Sequence, residues 1–299
     1  MVISIFITVA TFLVLLAILS GLRHFKYQKQ PPSGGARESV RSPGQSLLAK
    51  SNSLSTLINL YCIYAFNAPL IFYAVHISRS YFGGAPETLV RTMTSTGFAL
   101  ALLSYSIYQL IKLHRERTRL RLGYEGALAV GQELDRLRHD GFYIYHDFPA
   151  DTFTIDHVVV GSKGVFAIQT RTISTSAAKK RVEDATVEYD GRMLYYPKSG
   201  DSETVEHARQ QALWLSHWLG ETTGEPIAAR AIVALPGWLI KRTSSEGISV
   251  VNPKQFASLF EHIKPRTLPE SKLTRIIQQI EQKCSGKKPA PIESQIGSH

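Results

Sequence analysis

The sequence predicts an α/β protein with a central mixed β-sheet flanked by helices, preceded by transmembrane α-helices. Two observations lead to this prediction. Long apolar runs are concentrated in the first 113 residues, and they have the length of membrane spans. The remainder alternates short apolar runs, bounded by turn residues, with segments of helical periodicity. Its order of helix, strands, helix and strand is typical of a mixed sheet covered on both faces.

The membrane region is expected to cover residues 1–113, with spans near 3–22, 54–77 and 94–112. No Lys or Arg precedes the first run, so we expect an uncleaved span there, with a secretory signal peptide as the alternative. The third run is short and rich in Ser and Tyr. The Pro-, Gly- and Ser-rich residues 30–52 predict a disordered basic loop.

The excess of positive over negative charge is confined to the same part of the chain. The net charge is +10, and residues 1–122 hold 13 Lys and Arg against 3 Asp and Glu, whereas residues 123–299 hold 21 of each. Basic residues are many after the first run, few after the second and many after the third, which predicts a multi-pass protein with a cytoplasmic C-terminal domain. The same split excludes a global basic field on that domain, so nucleic-acid binding there requires a local patch.

The C-terminal part predicts elements in a definite order. Periodic leucines and valines predict a helix over 124–140 that ends at Gly141. The Gly161–Gly164 turn predicts a hairpin, and Asp190–Gly191 predicts a second one. The remaining expected elements are a strand "FYIYHDF", a helix over 203–220, strands "AARAIVALP" and "GISVV", helices near 253–263 and 269–284, and a flexible tail over 285–299.

One stretch has the residue types of a metal site. In "IDHVVVGSKGVFAIQTR", residues 155–171, Asp156 begins one apolar run, while Gln169 and Arg171 end the next and share one face of a strand. The alternatives are structural: Asp156 as the cap of a turn, and Gln169 and Arg171 as solvated strand residues. The spacing predicts that all three share one surface pocket.

These segments resemble the nuclease-related domain (NERD) of membrane-anchored bacterial proteins, within the PD-(D/E)xK nuclease superfamily. The resemblance covers residues 120–284 and rests on "IDHVVVG" and the turn after it, the "DGR" hairpin, a Gln-rich helix and "ALPGW". It implies a restriction-endonuclease-like fold at the bacterial inner (plasma) membrane. It also implies Mg²⁺ held by acids on the second and third strands, with a lysine beside the second acid.

The resemblance assigns catalysis to Asp156, Gln169 and Arg171, and metal binding to Asp156 and Gln169. This sequence departs from the family pattern, because Glu-x-Lys is replaced by Gln169-Thr170-Arg171 and the first-helix glutamate by Ala127. Glu125 lies two residues away, on another face of a helix. Candidate substrate-binding residues are Lys179, Lys180, Arg181, His207 and Gln211; the three-residue basic run has a solvated loop as its alternative.

Three functions remain open from the sequence. The first is a membrane-tethered, Mg²⁺-dependent DNA endonuclease or exonuclease with an altered site. The second is a catalytically inactive nuclease-like module that binds nucleic acid or a protein partner at the membrane. The third is a membrane scaffold whose spans carry the function. The departures favour binding over cleavage, because one anionic ligand stands where the family has two or three.

Overall fold

The computed structural model describes residues 41–82, 89–173, 185–263 and 268–285. The chain divides into two compact units, 1–36 with 50–119, and 37–49 with 120–299. The expected span near 3–22 and the run Lys179, Lys180, Arg181 lie outside the described residues.

Two long helices dominate the first unit. Helix α1 is Gln45–Phe82 and helix α2 is Leu89–Asp135, and each contains a stretch long and apolar enough to cross a membrane. Large apolar side chains along them are exposed, among them Leu60, Leu70 and Phe98. Asn67 is buried and donates to the carbonyl of Ile63 one turn earlier, so this polar side chain is satisfied within its own helix.

The predicted disordered loop 30–52 is wrong for the part that is described. Residues 42–44 form a turn, helix α1 begins at Gln45, and residues 37–49 belong to the second unit. The physical reason is packing, because Gly44 lies against Tyr124 and Ala127 of helix α2 and Pro43 lies against Gly131 of the same helix. A composition rich in Pro, Gly and Ser does not reveal such contacts.

The second unit contains a five-stranded mixed sheet. Its strands are β1 Tyr143–Pro149, β2 Thr154–Gly161, β3 Gly164–Thr170, β7 Ala229–Ala234 and β9 Ser249–Val251, and they lie side by side in that order. The first three strands are antiparallel, and β3, β7 and β9 are parallel. The predicted α/β class is confirmed.

A second, four-stranded sheet was not foreseen; its strands lie side by side in the order β6 (Ser199–Asp201), β5 (Leu194–Tyr196), β4 (Thr186–Tyr189) and β8 (Leu239–Arg242). The Asp190–Gly191 hairpin forms as predicted, but its strands build this sheet rather than extending the first. Two short strands that carry no apolar alternation complete it.

Helices cover both faces of the five-stranded sheet. On one face Val158, Val165 and Ala167 pack against apolar residues of α3 (Glu203–Thr223) and α5 (Glu270–Cys284). On the other face Val159 and Phe166 pack against the end of α2 and against α4 (Phe256–His262). Because β2 and β3 are buried on both sides, their apolar runs are continuous rather than alternating.

One glycine ends the helical turn that follows α2, and another closes the first hairpin. A 3₁₀ turn, Arg136–Asp140, follows α2 and ends at Gly141, whose φ of 81° is left-handed. Gly164 has a φ of 129°, and its pairing with Gly161 sets the register of β2 against β3. That register determines which residues meet at the far end of the hairpin.

Candidate functional site

The candidate site lies where β2 and β3 stop pairing as regular strands. The last paired residues at this end are His157 and Ile168, so the register places Asp156 opposite Gln169. The Thr170 backbone N–H donates to Asp156 Oδ2 over 2.7 Å. The carboxylate thus takes the place of a backbone acceptor, so Asp156 has a structural role at the end of β3.

Two amide oxygens face this end of the sheet from inside the protein. Gln169 continues the alternation of Val165 and Ala167, whose side chains pack on the α3 side of the sheet. Gln211 of α3 is 2% exposed, and its Nε2 lies 3.5 Å from the carbonyl of Thr154, two residues before Asp156. The Oε1 atoms of both glutamines are buried, and neither has a hydrogen-bond partner among the residues that the structure describes.

Carboxylate and amide oxygens are the ligand types that a hard cation accepts. A buried carbonyl oxygen without a donor is costly, and a carboxylate with amide oxygens is a donor set that Mg²⁺ and Ca²⁺ accept. The residues Asp156, Gln169 and Gln211 therefore fit a divalent cation by chemistry. Among the described residues, no group of three or more His, Cys, Asp or Glu side chains is arranged to hold a metal ion.

Burial makes Asp156 a weaker acid. Loss of solvent raises the pKa of its carboxyl group from 3.8 to about 6; the Thr170 N–H opposes this rise, and the negative charge of Asp147 adds to it. At neutral pH the group is ionised at a cost in stability, and a bound cation would offset that cost.

Arg171 is paired with another acid, Asp201. Its Nε donates to Asp201 Oδ2 over 3.0 Å, and the side chain is 47% exposed while that of Asp201 is 10% exposed. Asp201 also accepts from the backbone N–H and hydroxyl of Thr204 in the first turn of α3. The guanidinium is therefore held by β6, and a phosphate would have to compete with Asp201 for it.

Ala127, which stands where the family has its first-helix acid, is buried by packing. Ala127 is 1% exposed, and a Cβ built on Gly44 would lie 3.2 Å from its methyl carbon. Glu125 is exposed and pairs with Arg121 over 3.1 Å, one turn earlier on the same helix. Neither residue brings a carboxylate to Asp156.

Asp147 is an acid that the sequence analysis missed. It lies in β1 between the paired residues His146 and Phe148, at the register position opposite Asp156. It is 4% exposed, and its φ of 52° is unusual for a residue other than glycine. An aspartate inside the aromatic run "YIYHDF" is the signal that could have revealed it, because acids are rarely buried without a partner.

A chain of polar contacts connects this region to the surface. His146 Nδ1 and His157 Nδ1 are 2.8 Å apart, His157 Nε2 is 3.2 Å from Thr170 Oγ1, and His146 Nε2 is 3.4 Å from Asp135 Oδ1. Burial lowers the pKa of both imidazoles, so both are neutral at pH 7.

His207 lies away from the motif residues. It lines a cavity of about 690 Å³ together with Glu203, Glu206 and Arg209. Its ring also contacts Phe153, with centroids 6.2 Å apart. The cavity lining includes none of Asp156, Gln169, Arg171 or Gln211. Of the two predicted substrate-binding residues that the structure describes, His207 and Gln211, only Gln211 contacts β2, the strand of Asp156, through the carbonyl of Thr154.

Comparison with known proteins identifies the domain. Residues 122–236 match the family model of the nuclease-related domain (NERD). The match begins on α2 and ends just after β7, so it includes Asp156, Gln169, Arg171 and Gln211. No curated protein and no solved structure matches the chain. Residues 122–236 of this chain therefore belong to the nuclease-related domain family.

Proposed function

We propose that this protein is a membrane-anchored nucleic-acid-binding protein whose nuclease-related domain acts on DNA at the cytoplasmic face of the membrane, with weak Mg²⁺-dependent cleavage or none. The family match supports a nuclease-like role, and the two apolar helices before it support anchoring. The balance between binding and cleavage is argued from Asp156, Gln169 and Arg171.

The observation that carries the proposal is the pairing of Arg171 with Asp201. A cation that is to offset charge developing on a phosphodiester must be free and correctly placed. Here the guanidinium is engaged, and Gln169 contributes an uncharged oxygen where the family has a carboxylate. Asp156 is the only acid of the three motif residues, which favours retention of nucleic acid over its hydrolysis.

A divalent cation would polarise the phosphodiester and lower the pKa of an attacking water. Asp156, Gln169 and Gln211 are the residues that would hold it. Arg171 would contribute to phosphate binding after it exchanges Asp201 for a phosphate oxygen, because a guanidinium can bind either group through two parallel hydrogen bonds.

The test uses the full chain in detergent micelles. Binding of fluorescein-labelled single-stranded and duplex DNA is followed by anisotropy at several salt concentrations, and cleavage is followed on gels with Mg²⁺ or Mn²⁺. We expect salt-dependent binding that weakens in Arg171→Ala, with little product. Lys241→Ala is the matched control, because it removes another exposed cation that is paired with an acid, Glu188, on the second sheet.

Strong Mg²⁺-dependent cleavage by the unmodified chain, lost in Asp156→Ala, would show that Gln169 and Arg171 suffice for catalysis. Absence of DNA binding under all salt conditions would instead favour the alternative of a scaffold module that recruits a protein partner.

The topology is tested separately. Cysteines introduced at Ala85 and Lys198 should react with an impermeant maleimide from outside and from inside the cell, respectively. Labelling at position 198 in intact cells would contradict a cytoplasmic domain.

A further inference from the structure

Helix α2 continues without a break from its apolar part into a strongly basic part. Residues 112–121, "KLHRERTRLR", hold five Lys and Arg side chains and one acid, Glu116. Ten helical residues extend about 15 Å along the axis, so this part of α2 begins where the expected span near 94–112 ends. Helical side chains lean toward the N-terminus of their helix, which in α2 is the apolar end. The basic side chains therefore lean back toward the membrane surface.

These five cations divide between two opposite faces of the helix. At about 100° per residue, Lys112, Arg115 and Arg119 fall within about 60° of one another, while Arg117 and Arg121 lie on the other side. Arg121 is already paired with an acid one turn later, and Arg117 is only partly exposed. The side chains of the other three are exposed, and none of them forms an ion pair or a hydrogen bond with a residue that the structure describes. One face thus presents three cations without a partner.

Two tyrosines extend this face toward the apolar end of the helix. Tyr105 and Tyr108 precede Lys112 by seven and four residues, so their side chains follow the same line along the helix. Tyr105 is 54% exposed and Tyr108 is 64% exposed. Tyrosine is enriched where a span meets water, because its ring is apolar and its hydroxyl is polar. The five residues Tyr105, Tyr108, Lys112, Arg115 and Arg119 are called here the interface stripe.

We propose that the interface stripe binds the headgroups of anionic phospholipids in the leaflet at the C-terminal end of the α2 span. The tyrosines mark the level of the headgroups, and the cations follow within the next two turns. Near an anionic leaflet each Lys or Arg contributes about fivefold to binding. The only acid among residues 112–121, Glu116, leaves the stripe with a net positive charge. Such binding would fix the depth and the rotation of α2 in the bilayer.

The proposal rests on the membrane anchoring in the proposed function and does not depend on DNA binding. The test uses the full chain in phosphatidylcholine vesicles that contain a trace of spin-labelled phosphatidylglycerol or spin-labelled phosphatidylcholine. Electron paramagnetic resonance separates lipid held at the protein surface from lipid in the free bilayer. We expect phosphatidylglycerol to be retained at least about threefold more strongly than phosphatidylcholine. The preference should shrink in about 1 M NaCl, where the Debye length is about 3 Å.

The chain offers a closely matched control on the same helix. Arg115→Gln with Arg119→Gln removes two guanidinium groups from the interface stripe, and Arg117→Gln with Arg121→Gln removes two with the same spacing from the opposite face. The two pairs are offset by only two residues, or about 3 Å along the axis. The first variant should lose at least half of the preference for phosphatidylglycerol, and the second should keep it.

A charge-preserving variant separates loss of charge from loss of fold. Arg115→Lys with Arg119→Lys should retain the preference, because a headgroup phosphate accepts an ammonium as well as a guanidinium. It also decides the matter if the glutamine variant does not fold, because Glu116→Lys in the unmodified chain should then raise the preference above its original value.

The interface stripe is overturned if phosphatidylglycerol is not preferred, or if the two glutamine variants lose the preference equally, since equal losses indicate a general surface potential. It is also overturned if the stripe variant weakens duplex DNA binding and leaves lipid retention unchanged, because nucleic acid would then be the ligand. Flotation of the vesicles after a carbonate wash separates these outcomes from failure of the proposed function. A chain that does not float with the vesicles contradicts membrane anchoring itself, whereas a chain that floats without a difference between the variants rejects only the interface stripe.

Discussion

Replacing Asp156 by asparagine should stabilise the domain at neutral pH. The amide oxygen of asparagine can still accept the Thr170 N–H, so the contact that holds the end of β3 is kept. What is removed is the negative charge of a half-buried carboxylate that forms no ion pair with the residues that the structure describes. The desolvation cost of that charge disappears in the variant, so the folded state should become more stable.

The magnitude follows from the pKa. The rise of the Asp156 pKa from 3.8 to about 6 lowers the unfolding free energy by about 3 kcal/mol at any pH above both pKa values. Because the folded pKa is the higher one, the folded state binds more protons between pH 3.8 and about 6, and stability rises as the pH falls through this window. Asp156→Asn should therefore gain up to about 3 kcal/mol at pH 7.5, or about 6–12 °C in Tm, and the gain should vanish near pH 4.

Tryptophan fluorescence is a suitable assay, because Trp214, Trp218 and Trp238 all lie in the second unit. Unfolding is followed in detergent with EDTA present, so that no divalent cation stabilises the unmodified chain. The control is Asp201→Asn, for which the expected change in stability has the opposite sign. Burial alone would raise the pKa of Asp201, but its bonds to Thr204 and its pairing with Arg171 lower it. That variant should be less stable at pH 7.5, and the loss should shrink as the pH falls.

The reasoning is refuted if Asp156→Asn is no more stable than the unmodified chain at pH 7.5. It is also refuted if the gain is the same at pH 4.5 and pH 7.5, because a pH-independent gain would not come from the carboxylate charge.

Three other outcomes are expected. Asp201→Asn should strengthen DNA binding about 2- to 5-fold by anisotropy, because an exposed ion pair of about 0.4–1 kcal/mol no longer holds Arg171; unchanged affinity would mean that Arg171 does not contact DNA. Gln169→Glu with Arg171→Lys should raise Mn²⁺ affinity and produce measurable nicking of plasmid DNA, and a variant that folds but does neither would indicate a pocket adapted to binding. Gly126→Ala should lower the unfolding free energy by about 1–3 kcal/mol, because its Cβ would collide with Thr172, and Thr172→Ala should restore part of the loss.

The position of Asp156 opposite Gln169 could be read from the sequence because a four-residue turn fixes the register of a hairpin. Once Gly161 pairs with Gly164, each step back along one strand matches a step forward along the other. The helix that ends at Gly141 was predictable for a similar reason, since one glycine in a left-handed conformation marks its end. Local rules were sufficient in both places.

Contacts between distant parts of the chain were not predictable. Arg171 and Asp201 are 30 residues apart and meet only because β6 joins a second sheet, and "SGD" has no apolar alternation to announce a strand. Ser46 and Asp147 are 101 residues apart, and the Pro- and Gly-rich composition around Pro43 predicts disorder when its packing partner is not known. The role of each residue in the site depends on such a contact, so the motif was foreseen and its electrostatic state was not.

The paired histidines give the site a fixed direction of hydrogen donation. The carboxylate of Asp135 can only accept, so His146 carries its hydrogen on Nε2 and leaves Nδ1 as an acceptor. His157 must then donate from Nδ1 and accept at Nε2, where the Thr170 hydroxyl is the donor. One half-exposed carboxylate thus sets the orientation of a hydroxyl group next to Asp156, through two imidazole rings and without a change of charge at either. An asparagine at position 135, which can donate, would allow the whole row to reverse and would turn the Thr170 hydroxyl into an acceptor.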